Sequence, residues 1–156
     1  MKKYSKIAVA IFILLVVIFG FRNCTPKSAD ELLGTDKNRD GLRDDVEAYV
    51  ENKYGKDKKI FLIVRELSKA IQNKVFSPEN VDSIQVSKTM YCLHHFIERD
   101  HQRGLEILQD VQAAIFNTYP RIRAYAKYNA RLNGKILANY DGDLKSACAF
   151  DPTLLK

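Results

Sequence analysis

Between Asp36 and Glu47 the chain runs Asp-Lys-Asn-Arg-Asp-Gly-Leu-Arg-Asp-Asp-Val-Glu, with oxygen-bearing side chains at alternate positions ahead of a glycine. That spacing restricts the local fold to a tight loop opening into a helix. A large hard cation takes about six to eight oxygen ligands, and one twelve-residue loop supplies them from positions 1, 3, 5, 7, 9 and 12. Here those positions hold Asp36, Asn38, Asp40, the backbone carbonyl of Leu42, Asp44 and Glu47. Gly41 at position 6 is expected at positive φ, where glycine alone meets no steric cost, and Glu47 can close a site with both carboxylate oxygens. Calcium is the expected cofactor; the bland alternative is an acidic turn that leads into a helix.

The full match to D-x-[DN]-x-[DN]-G-x5-E resembles the EF-hand loop. Leu42, Arg43 and Asp44 at positions 7 to 9 look more like the Asp-rich loops of bacterial thrombospondin type 3 repeats. The resemblance covers roughly a tenth of the chain, so it implies a ligand set and no family function. Arg43 stands where paired EF-hands carry an aliphatic residue, and Asp141-Gly-Asp143 is too short to form a second loop. A single half-hand is expected. Its four carboxylates repel one another without a cation, while Lys37, Arg39 and Arg43 are expected to face outward and lower the charge. Affinity should be modest, about 10⁻⁴ to 10⁻³ M, which suits structural calcium better than a cytosolic sensor.

Lys2, Lys3 and Lys6 precede an uninterrupted apolar run from Ile7 to Phe21. A basic segment followed by an apolar one marks residues 1–23 as a signal anchor or signal peptide with a cytoplasmic N-terminus, outside the fold. No small-residue cleavage site follows, which favours an uncleaved inner-membrane anchor with the C-terminal domain in the periplasm. Cys24 keeps a lipoprotein reading open through lipidation, and a soluble periplasmic form is the third possibility. The charge of +6 misleads. Without Lys2, Lys3, Lys6 and Arg22, 21 of the 25 basic residues remain against all 19 acidic ones, so nucleic acid is not an expected partner.

In an oxidising compartment Cys92 and Cys148 are the natural disulfide pair, with Cys24 left beside the membrane. A crosslink closing roughly 57 residues contributes about 4 kcal/mol on the chain-entropy model. Two independent buried thiols are the alternative.

Residues 24–35 form a polar tether with no room for a full entering helix, and residues 44–156 form the helical domain. Helix is expected from Asp44 to Tyr54, with Val46, Tyr49 and Val50 on one side and Gly55 at its end. Lys58 to Lys74 contains five consecutive apolar residues that suit a strand, yet the 60, 63, 64, 67, 71 spacing continues a helical face. Ser77-Pro78-Glu79 is a helix start, with a capping hydroxyl, a proline in the first turn and an acid at the positive end of the dipole. Two further faces are expected: Leu105, Leu108, Val111 and Ile115, then Ile122, Tyr125, Tyr128 and Leu132 behind a Thr118 cap. The fold class is all-α, a compact bundle of about five helices in one domain.

His94, His95 and His101 lack the i, i+4 spacing of a helical metal pair. Arg123, Lys127, Arg131 and Lys135 repeat every four residues, a stripe that suits an acidic partner or lipid headgroups, or simply a solvated face. No serine sits in a nucleophile elbow, and the one dense acidic cluster is assigned to calcium, so no catalysis is expected. The expected function is a membrane-tethered calcium-binding module engaging an envelope protein. A periplasmic inhibitor or immunity-type protein that neutralises a toxin or lytic enzyme is the alternative, by analogy of architecture.

Overall fold

The computed structural model describes residues 29–77, 84–134 and 139–151. Among them there is no strand, and seven helices follow in order: α1 Ala29–Leu33, α2 Asp44–Tyr54, α3 Lys58–Phe76, α4 Gln85–Phe96, α5 His101–Ile115, α6 Tyr119–Leu132 and α7 Leu144–Ala147. Five of these have eleven or more residues and build the bundle. The apolar run 7–21, Cys24, Pro78–Glu79 and Lys135 lie outside the described residues. None of the helices described is long and apolar enough to cross a membrane.

Helix α3 forms the axis of the domain. Asp57 caps it by accepting from the amides of Lys59 and Ile60 at 3.0 and 3.1 Å, and Ile60, Ile63, Val64, Leu67 and Ile71 are all buried along it. The helical spacing of the apolar run therefore outweighs its strand-like composition. Around α3 pack α2, α4, α5 and α6. Asp44, Asp45 and Glu47 in the first turn of α2 complement the helix dipole, and the chain leaves at Gly55, whose amide bonds to Glu51.

Burial corrects two expected faces. On α5 the buried residues are Gly104, Ile107, Val111 and Ile115, whereas Leu105 is 52% exposed. Ile122 is likewise 52% exposed, and Arg121 is the buried residue of α6, above the half-buried Tyr125, Tyr128 and Leu132. Thr118 precedes α6, but its hydroxyl makes no capping bond and is buried without a hydrogen-bond partner among the described residues. Ser77 closes α3 through its amide on Asn73. The Cys92–Cys148 disulfide is formed, with Cα atoms 5.3 Å apart, and ties α4 to the segment after α7.

Candidate functional site

The loop turns where glycine was expected to turn it. Gly41 has φ +89°, and Asp36 holds the turn from below, its two carboxylate oxygens accepting from the amides of Asp40 at 3.2 Å and Gly41 at 2.9 Å. Asn38 Oδ1 accepts from the Asp40 amide at 3.1 Å, and Asp40 Oδ1 from the Leu42 amide at 2.9 Å. Leu42 is fully buried, so its side chain pins to the core the stretch of backbone that carries the position 7 carbonyl. Glu47, a turn into α2, reaches back so that its Oε2 accepts from Asn38 Nδ2 at 3.0 Å. Asp36, Asn38, Asp40 and Glu47 are thus linked across one side of the loop. Asp44 is engaged elsewhere, by the Lys37 amide at 3.0 Å, beside a cleft it lines with Gly34, Thr35, Lys37, Asp45 and Arg121.

Helix α3 lays a polar row along this loop. Arg65, Lys69 and Gln72 recur at spacings of four and three, which places them on one side of the helix. Arg65 donates from Nε to Glu47 Oε1 at 3.0 Å and from its terminal nitrogen to Asp40. Lys69 Nζ lies 3.5 Å from Asp40 Oδ2 and 3.4 Å from Glu66. Gln72 donates to the Gly41 carbonyl at 3.1 Å and receives the Arg43 amide at 3.4 Å. Burial works to raise the Asp40 carboxyl, but the Leu42 amide, Lys69 and Arg65 outweigh it and hold the group below its ordinary pKa. The cations of α3 stabilise the loop's charge.

The donor types and spacing fit calcium, and the fit has a condition. Among the described residues no three histidine, cysteine or acidic side chains stand together as a ready metal site. Arg65 is bonded to both Asp40 and Glu47, so a metal binding these two carboxylates must displace it. The sequence did not point to this competitor, because Arg65 and Lys69 lie far from the loop along the chain. The available signal was the row Arg65, Lys69 and Gln72 at spacings of four and three, a polar side to the helix whose other side carries the buried apolar residues.

Arg43 does not face outward. It is fully buried, donating to both oxygens of Asp45 at 2.8 and 3.0 Å and to the carbonyls of Ile115 at 2.9 Å and Ala114 at 3.2 Å. A guanidinium at the end of α5 satisfies carbonyls that have no partner within the helix and meets the negative end of its dipole. Arg121 adds bonds to the Leu32 carbonyl at 3.1 Å and to Asn117 at 2.6 Å. Gly34, at φ +72°, leaves room for both arginines: a Cβ there would sit 2.5 Å from Arg43 Cδ. Two buried arginines therefore fasten the loop and the segment before it to the α5–α6 corner.

The histidines are closer in space than in sequence. The rings of His94 on α4 and His101 on α5 meet edge to face with centroids 5.2 Å apart, and burial, then the proximity of His101, lowers the His94 pKa. No protein-family profile matches this chain, and neither a curated protein nor a solved structure matches it.

Proposed function

We propose that the chain is an exported, membrane-tethered helical module whose 36–47 loop binds calcium and whose bundle engages a protein of the cell envelope. One observation carries the calcium reading: Asp36, Asn38, Asp40 and Glu47 are linked on one side of the loop, and two of these carboxylates already hold side-chain cations there. Asp36, Asn38, Asp40, Glu47 and the Leu42 carbonyl would hold the ion, with Asp44 joining them on release of the Lys37 amide. Bound calcium supplies a compact divalent charge to hard oxygen ligands.

The remaining work belongs to the chain. Arg65 and Lys69 bring positive charge to Asp40 and Glu47, part of it shared with Glu66, so a calcium ion would replace charge that the loop already holds. The loop is therefore kept in shape without metal, and calcium gains only the difference between its own ligation and the ion pairs it replaces. Modest affinity follows. The same ion pairs favour a second reading, in which α3 has taken over the metal's role and the loop is a permanent calcium-free staple.

The tether rests on Lys2, Lys3 and Lys6 ahead of the Ile7 to Phe21 run, the pattern of a segment that keeps its N-terminus cytoplasmic. Affinity capture of the full chain from detergent-solubilised envelope, in calcium and in chelator, tests the functional reading. Envelope proteins recovered only in calcium are expected. A single stoichiometric lytic enzyme or toxin would favour the inhibitor class instead, and identical captures in both conditions would separate the partner from the loop.

A further inference from the structure

Helix α6 is the least buried of the five long helices, and its charge is one-sided. From Tyr119 to Leu132 it carries Arg121, Arg123, Lys127 and Arg131 and no acid. Arg121, Tyr125, Tyr128 and Leu132 turn toward the bundle, leaving an outer face with Tyr119 at 64% and Ile122 at 52% exposure. Along one edge of that face run Arg123, Lys127 and Arg131, all exposed and, among the described residues, in no ion pair. An aromatic and an aliphatic tip bordered by long cationic side chains is the composition of a helix lying in a membrane interface, where the rings sit at headgroup level and the cations reach phosphate.

The position of α6 selects the occupant. Arg121 ties α6 to α1 through the Leu32 carbonyl, and of the five exposed large hydrophobic residues among those described, Leu33, Tyr119 and Ile122 lie on these two helices. The chain reaches the apolar run from α1. The seven residues between Phe21 and Ala29 span at most about 28 Å when fully extended, so an inserted segment holds this end of the bundle close to the bilayer. Held there, even a weak surface is occupied, because the tether makes the contact intramolecular.

We propose that the outer face of α6 seats the domain on the anionic phospholipid headgroups of the bilayer its own N-terminal segment enters, a proposal that rests on the tethered reading. The chain contains no tryptophan, so Ile122→Trp is a single fluorescent reporter on the proposed face, and Leu105→Trp, at an equally exposed site on α5, is its control. Each full-length variant is reconstituted into vesicles of phosphatidylcholine alone or with phosphatidylglycerol. The Ile122→Trp emission should shift to the blue and be quenched by brominated lipid only with phosphatidylglycerol present, and high salt should reverse it. Replacing Arg123, Lys127 and Arg131 by glutamine should weaken the contact roughly fivefold per cation removed. The control should stay water-exposed throughout. A reporter equally exposed in both vesicle types, in protein that resists carbonate extraction, overturns the surface and leaves the tether standing. Extraction by carbonate with quenching that still depends on phosphatidylglycerol overturns the tether and leaves the surface. Equal quenching of both reporters overturns the assignment to α6.

Discussion

Replacing Arg65 by methionine removes the guanidinium while keeping most of its apolar stem, so it should have two effects of opposite sign. Arg65 is about 25% exposed and pairs with Asp40 and Glu47, which are 18% and 25% exposed. At an effective dielectric of about 20 the bare Coulomb term for one contact pair is about 4 kcal/mol, but desolvation and side-chain ordering leave about 0.2–1 kcal/mol for pairs open to solvent. Two such pairs, partly shielded, amount to about 1–2 kcal/mol. The metal-free protein should lose that much, melting roughly 4–10 °C lower. Calcium no longer has to displace a guanidinium, so its affinity should rise about five- to thirtyfold. Calorimetric titration with calcium gives the affinity, and thermal melts in calcium and in chelator give both stabilities. A less stable variant that binds calcium no better than wild type refutes the exchange, and the absence of a calcium response in both proteins favours the permanent staple.

Arg43→Met should cost about 2–4 kcal/mol in urea unfolding, because it strips donors from the Ala114 and Ile115 carbonyls and removes the two guanidinium bonds to Asp45, which keeps only Asn117 and the more distant Arg121; a loss below about 1 kcal/mol would mean that water satisfies these groups. Joint Cys92→Ala and Cys148→Ala substitution should lower stability by about 4 kcal/mol, and non-reducing mass spectrometry should find the two cysteines in one linked peptide. Burial works to raise the Asp110 carboxyl, but Lys53 at 2.6 Å and the Tyr54 hydroxyl at 2.7 Å hold it below its ordinary value. Its contribution is therefore complete above the unfolded pKa of about 3.9 and lost as pH falls through the folded one. Asp110→Asn should be the less stable protein near neutrality and converge with wild type in acid, and a stability gap that does not change with pH would rule this ion pair out as the cause.

The helical domain was legible where a pattern permitted one solution. Ile60, Ile63, Val64, Leu67 and Ile71 are buried as their spacing requires, and Gly41 adopts the positive φ that position 6 of the loop demands. On α5, the rows through Leu105 and through Ile107 both trace a helical face and share Val111 and Ile115; packing against α3, α2 and α4 chooses between them. On α6 the apolar pattern favoured Ile122, but Arg121 goes inside because the Leu32 carbonyl and Asn117 satisfy its guanidinium. Arg43 is the same case in stronger form. A charged residue counts as surface in any pattern, and the carbonyls that make it a core residue lie 71 and 72 positions away. The loop's ligand set was readable for the same reason its competitor was not: the ligands are local in sequence, whereas Arg65 meets Asp40 and Glu47 only through the packing of α3 on α2.

Calcium titration of the detergent-solubilised full chain, run beside Asp36→Asn and Glu47→Gln, which keep the size of each side chain and remove its charge, decides whether the 36–47 loop ligates the ion. Wild type should show one site near 10⁻⁴ to 10⁻³ M and, at about 10 mM calcium, a stabilisation of about 1.4–2.7 kcal/mol, with both effects absent in the two variants. No binding heat and no rise in melting temperature for wild type at that concentration, or an equal response in Glu47→Gln, would contradict calcium ligation by the 36–47 loop.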